Sequence, residues 1–390
     1  MSEYRTIREL CSIVVDCPHS TPTWTSEGKI VVRNNNIKNG RIDLSSPSYT
    51  DEEHFLQRIK RAVPQPGDLI ITREAPIGDV GMIPEGVECC LGQRMVLLRA
   101  DSSICDNYYL LYSLQSRYVQ HQISWSEGTG TTVSNLRIPH LEQIKIPYLP
   151  LPKQKAIASV LRSLEEKMSI NRKINDNLQQ QALAIFQQEL LRDGELPEGW
   201  SKGSLLDIAN YLNGLAMQKF RPADGENGLP VLKIKELRQG SCDTSSELCS
   251  PSIKPEYIVH DGDVIFSWSG SLLVDLWCGG TCGLNQHLFK VTSDKYPKWF
   301  YYAWTAHHLA RFVAIAADKA TTMGHIKREE LAKAEVVIPD AASMERIGGI
   351  LQPMYDLIIS NRIENRKLAA LRDTILPQLM SGELDVSDLT

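Results

Sequence analysis

Between residue 153 and about residue 190, apolar side chains recur at Ile157, Leu161, Leu164, Met168, Leu178, Ala182 and Ile185, in steps of three and four once Asn171 and Asn175 are counted in. That spacing is the seam of a long amphipathic helix, and such a seam needs a partner. The same chain contains one. At a single constant offset, Ile157, Val160, Leu161, Leu164, Met168, Asn171, Asn175, Leu178 and Ile185 fall on Ile347, Ile350, Leu351, Met354, Ile358, Asn361, Asn365, Leu368 and Ile375. Agreement over so many positions, with two asparagines matched inside an apolar seam, marks an internal repeat.

The segments between the helices repeat as well. Residues 30–32, 69–72 and 95–98 are β-branched or apolar runs bounded by Gly, Pro and Asp, which predicts strands, and Pro66-Gly67-Asp68 is a turn feeding the middle one. Asp261-Gly262-Asp263 restates that turn, Leu284-Asn285-Gln286-His287 restates Leu91-Gly92-Gln93-Arg94, and residues 336–339 restate 144–147. Residues 231–234 read as a strand, and helical stretches are expected over about 107–123 and 297–312. The offset drifts in the loops while the long helices keep register, so the halves diverge where recognition usually resides. Proline pairs and glycines place the boundaries. The chain divides into a mixed α and β block at 1–150, a helical region at 151–193, a second block at 194–339 and a second helical region at 340–390, which is an α+β fold class. Pro353 predicts a kink early in the second helix, with a straight part from about 354 to 376.

If the helices pack antiparallel, Asn171 meets Asn365 and Asn175 meets Asn361, and paired amides inside a seam fix register. A helix of this length spans on the order of 50 Å, the scale of a spacer.

With 42% apolar and 23% charged residues the composition is that of globular protein. Neither an apolar run of about 18 residues nor a leader pattern occurs at the N-terminus, so a cytoplasmic protein without a membrane partner is expected. The nine cysteines show no CxxC spacing; Cys278, Cys282 and His287 come nearest to a metal set, but they read better as interior thiols and a loop. A formal charge of −5 excludes a protein that coats nucleic acid non-specifically, and it leaves room for a local basic groove. Neither a phosphate-binding glycine loop nor a dinucleotide fingerprint is present, and Gly128-Thr129-Gly130 is too short to stand in for one. No catalytic constellation emerges.

The repeated order of features resembles the specificity subunit of type I restriction-modification systems, over essentially the whole chain. The carrying motifs are PGDLIIT and DGDVIFSW, the segments IKIPYLPLPKQKAIASVL and VVIPDAASMERIGGIL that lead into the helices, and NGLAMQKFRP, LPVLKIKELRQG and LNQHLFKVTS. The resemblance implies two target-recognition domains, each reading one half of an asymmetric, interrupted duplex DNA site. It implies that the helices, packed as an antiparallel coiled coil, set the spacer and dock two methyltransferase (modification) subunits, and that restriction or translocase subunits join them. S-adenosylmethionine, ATP and Mg are then expected in the partner subunits, with no cofactor in this chain.

For base reading, Arg and Lys suit guanine, and Asn and Gln suit adenine. Candidates in the first block are Arg33, Asn34, Asn35, Asn36, Arg73, Gln93 and Arg94. Those in the second are Gln218, Lys219, Arg221, Lys233, Lys235 and Arg238. Thr131, Thr132, Thr321, Thr322 and Lys319 are placed to donate to phosphates. The alternative is an orphan scaffold that binds modification subunits without reading DNA, and an autonomous enzyme is the weakest reading.

Overall fold

A computed structural model describes residues 3–38, 40–125, 135–191, 194–318 and 326–386. Thr131, Thr132, Lys319, Thr321 and Thr322 lie outside the described residues. The chain divides into two compact units, Met1–Glu166 with Ala369–Thr390, and Lys167–Leu368. Both are mixed α and β, and each takes a share of both long helices.

Each unit begins with the same local device. Glu9 accepts a hydrogen bond from Thr6 N at 2.7 Å and Thr6 accepts from Glu9 N at 3.3 Å, a reciprocal cap on the helix Ile7–Leu10. In the second unit Asp207 accepts from Ser204 N at 2.7 Å and caps Leu205–Ile208. The strand before each cap pairs antiparallel with the strand that precedes a long helix: Glu3–Thr6 with Lys145–Tyr148, and Ser201–Ser204 with Glu335–Ile338. The chain therefore enters and leaves each block side by side.

The main sheet of the first unit runs Cys11–Asp16, Met95–Ala100, Leu69–Thr72, Val80–Met82, Gly40–Ile42, Ile37–Lys38. That of the second runs Asn210–Asn213, Leu288–Thr292, Val264–Ser267, Leu273–Leu276. Both repeated turns need a left-handed residue, which Gly67 and Gly262 supply at φ +86° each. A cation from the next strand of the sheet then holds the turn's aspartate: Arg99 on Asp68 at 2.8 Å, Lys290 on Asp263 at 2.8 Å. A smaller sheet carries a parallel pair in each unit, Lys29–Val32 with Cys89–Leu91 and Leu229–Leu232 with Cys282–Leu284. The nine cysteines are free, and all but Cys242 are buried.

Three expectations are corrected, the first being the stretch expected as one helix over 297–312, which is two, Lys298–His307 and Leu309–Asp318. The stretch expected as one helix over 107–123 is two, Asn107–Gln115 and Arg117–Trp125, because Ser116 turns extended and its hydroxyl accepts from Val119 N at 3.4 Å. The strand expected over 231–234 ends at Leu232, and Ile234–Gln239 is helical. Glu236 accepts from Lys233 N at 3.2 Å, and this local cap wins over the strand pattern.

The long helices are Leu151–Leu190 and Ala341–Ser381. Within the first unit Ile157 and Leu161 pack with Ile375, Leu376 and Leu379, and Arg372 reaches Glu165 at 3.5 Å. Within the second unit Ala182, Phe186 and Leu190 pack with Ile347, Leu351 and Tyr355, and Arg346 reaches Glu189 at 2.7 Å. Numbering rises on one helix as it falls on the other, so the pairing is antiparallel inside each unit. The second helix continues through Pro353 and Pro377, both exposed, and the carbonyls left without a helical donor belong to Gly349 and Asp373, which are exposed too. Among the described residues no helix is long and apolar enough to cross a membrane.

Candidate functional site

In the first unit, the end of strand Lys29–Val32 and the loop after strand Cys89–Leu91 open onto a cleft of about 700 Å³. Arg33, Asn34, Asn35, Gln93 and Arg94 line it, joined by Trp24, Lys38 and Asp79. The Arg33 guanidinium lies 5.0 Å from the centre of the Trp24 ring, which fixes a flexible cation against a flat apolar face. Arg94 has a left-handed backbone, φ +65°, and its guanidinium pairs with Glu74 at 3.1 Å. Such a conformation is uncommon for a side-chain-bearing residue and is held here by the surrounding hydrogen bonds. Asn34 donates to Glu74 O at 2.8 Å, while its own Oδ1 is buried and accepts nothing from the described residues. Gln93 donates to Thr21 Oγ1 at 3.3 Å.

The remaining two candidates of this block point inward. Asn36 is buried; it accepts from Arg33 N at 2.9 Å and donates to Asp43 O at 3.0 Å, so its amide shapes the loop. Arg73 pairs with Asp16 at 2.9 Å and donates to Leu136 O at 2.9 Å, with its side chain 11% exposed. Both hold the cleft's walls.

Three backbone hydrogen bonds of this frame recur in the second unit. Gly92 N donates to Val32 O at 2.7 Å, and Asn285 N to Leu232 O at 3.2 Å. Arg73 N donates to Arg94 O at 2.8 Å, and Trp268 N to His287 O at 3.4 Å. Leu136 N donates to Arg73 O at 3.0 Å, and Ile326 N to Trp268 O at 2.9 Å. Lys233 thus stands where Arg33 stands, and Gln286 and His287 stand where Gln93 and Arg94 do.

Acidic partners occupy most of the second unit's cationic candidates. Glu247 takes Lys233 and, at 3.1 Å, Arg221; the Lys233 hydrogen bond is the main reason its carboxyl titrates below the usual range. Lys235 reaches Asp243 at 3.3 Å and donates to Ser245 Oγ at 2.8 Å. Gln218, Lys219 and Arg238 are exposed, the first two on the short turn Met217–Lys219. Trp24, Lys38 and Asp79 escaped sequence reasoning, since nothing local links them to residue 33. Gln286 and His287 escaped it too, although the repeat LGQR and LNQH pointed at them.

The seam asparagines lie within the second unit. Asn171 donates to Asn365 Oδ1 at 2.9 Å and to Glu364 at 2.7 Å, and Asn361 donates to Asn175 Oδ1 at 2.9 Å. Asn171, Asn175 and Asn361 are buried. The hydrogen bond from Asn171, followed by that from Lys167, lowers the Glu364 carboxyl.

Comparison with known proteins adds a second line. The family model described as type I restriction modification DNA specificity domain matches residues 2–180 and again 197–371. The specificity subunit of the type I restriction enzyme MjaIX, from Methanocaldococcus jannaschii, is 25% identical over 346 residues, covering 83% of this chain and 79% of that one. The specificity subunit of EcoKI, from Escherichia coli, is 23% identical over 395 residues, covering 91% and 82%. Among solved structures, a type I restriction-modification S subunit from M. genitalium shares the fold with a TM-score of 0.58 and 16% identity, over 97% of this chain and 95% of that one.

Proposed function

We infer the function from one premise: the chain belongs to the type I restriction modification DNA specificity domain family. It is a specificity subunit, and it leaves catalysis to its partners. Beyond that, each unit reads one half of an interrupted, asymmetric duplex site, the first through the cleft of Arg33, Gln93 and Arg94, the second through the equivalent surface that begins at Lys233. The helical pair sets the unread spacer and docks two modification subunits, with the asparagine pairs as its register device. S-adenosylmethionine, ATP and Mg belong to the modification and restriction partners. The boundaries 1–150, 151–193, 194–339 and 340–390 describe the division of labour between reading blocks and spacer.

One observation carries this reading: three backbone hydrogen bonds of the frame recur while the side chains it presents differ, Arg33 against Lys233 and Arg94 against His287. A frame kept twice with different side chains suits two readers of different sequences, because backbone position sets register and side-chain chemistry selects bases.

The test is methylation mapping of a host that carries the chain and its modification partner. An interrupted motif with two unlike halves is expected. Lengthening both helices by four residues, about 6 Å, widens the gap by roughly two base pairs at 3.4 Å each. A continuous motif, or a gap that ignores helix length, overturns the reading.

A further inference from the structure

We propose that Gln286 and His287 decide which bases the second unit accepts, in the place that Gln93 and Arg94 hold in the first; the assignment rests on the two-reader function above. Both pairs follow a parallel-paired strand in the same register, Val32 opposite Leu91 and Leu232 opposite Leu284. Both pairs also anchor their second member on the same neighbouring strand end. Arg94 reaches Glu74 at 3.1 Å, and His287 Nδ1 meets Ser269 Oγ at 3.0 Å. An ion pair in one unit is thus an imidazole–hydroxyl hydrogen bond in the other.

The chemistry differs accordingly. A guanidinium suits the O6 and N7 acceptors of guanine, whereas a carboxamide pairs an acceptor and a donor with the N6 amino group and N7 of adenine. Gln286 is half-buried, and its enclosed Oε1 accepts nothing from the described residues, so a turn of the carboxamide about its own side-chain torsions presents an unengaged acceptor. Ser269 takes Nδ1 of His287 and leaves Nε2 for a ligand in either tautomer. The loop has little room to shift: a Cβ on Gly214 would lie 2.2 Å from Asn285 O and 2.4 Å from Leu284 O. The backbone is therefore held in place, and only the side chains of Gln286 and His287 turn to meet a base. The second half-site therefore contains an adenine read by Gln286.

The experiment selects bound duplexes from a randomised library with the full chain and its modification partner, then sequences them. Gln286→Ala and His287→Ala are expected to relax discrimination by about tenfold at positions of one half-site, leaving the other half and the spacer unchanged. Arg94→Ala is expected to act on the opposite half. If Gln286→Ala fails to assemble, Gln286→Glu reads the same contact, moving preference from adenine toward cytosine, whose N4 amino group donates to a carboxylate. Unchanged preferences in these variants, or an affinity loss equal for every sequence, overturn the assignment. Exchange of the whole second block separates the layers. If exchange changes the selected sequence and Gln286→Ala does not, only this assignment fails; if exchange changes nothing, the two-reader function fails with it.

Discussion

Arg33 and Lys233 occupy one place in the two units, directly after equivalent strands, yet Arg33 lies against the Trp24 ring and Lys233 is held by Glu247. Among the described residues no carboxylate pairs with Arg33, whereas Glu247 also draws in Arg221. The first cleft thus presents a cation without a carboxylate partner among the described residues, which the proposed function assigns to phosphate or guanine. The second must exchange a carboxylate for its ligand. On the proposed two-reader function, the shared backbone frame sets where DNA lies, and the partners of a few side chains set affinity and selectivity separately for each half. Cations without carboxylate partners raise binding to any duplex, while compensated ones raise the penalty for a wrong one.

The contrast can be broken from either side, and the largest effect comes from the frame itself. Gly214→Ala drives a methyl group into two carbonyl oxygens, which should destabilise the second unit by about 3 kcal/mol or more. Calorimetry is expected to show one transition falling and the other unmoved, with reading of only one half-site lost. Next in size, Arg33→Ala should weaken binding by about 1–3 kcal/mol, and Lys233→Ala by clearly less, because the lysine's charge is already compensated. Equal losses in filter-binding titrations would erase the comparison. The smallest effect belongs to Glu247→Gln, which frees two cations. Affinity for non-specific duplex should rise a few-fold and the salt dependence steepen by about one to two phosphates.

Acid acts in the same direction, and its sign follows from the lowered carboxyl. The stabilisation that Glu247 gives the Lys233 and Arg221 pairs is full above the ordinary carboxyl value of 4.5 and drains as pH falls through the lower folded value. The part of the acid-side change that comes from Glu247 should therefore be absent in Glu247→Gln.

The repeat, the strand-feeding turns and the seam were legible because each rests on local chemistry: a glycine at positive φ, alternating apolar residues, steps of three and four. What was hidden depends on partners far along the chain. Arg73 looks like a reader in sequence, but Asp16, distant in number, takes it into the wall. The seam itself holds a surprise of this kind. Glu165 is more buried than Leu164, since Arg372 at 3.5 Å and the Tyr112 hydroxyl at 3.3 Å receive its carboxylate. A charge inside a seam cannot be read without knowing what faces it. Lys233 and Ile234 were misplaced for a nearer reason, a cap from Glu236 that ends the strand early. Gln286 and His287 needed only the internal alignment carried through to its last residue.

The most direct measurement replaces residues 201–338 by residues 3–148, so that both reading blocks carry the first cleft, and maps methylation by the resulting complex. A symmetric motif made of two copies of one wild-type half, with the wild-type gap between them, is expected. The original asymmetric motif, or a site in which neither wild-type half survives, would contradict it.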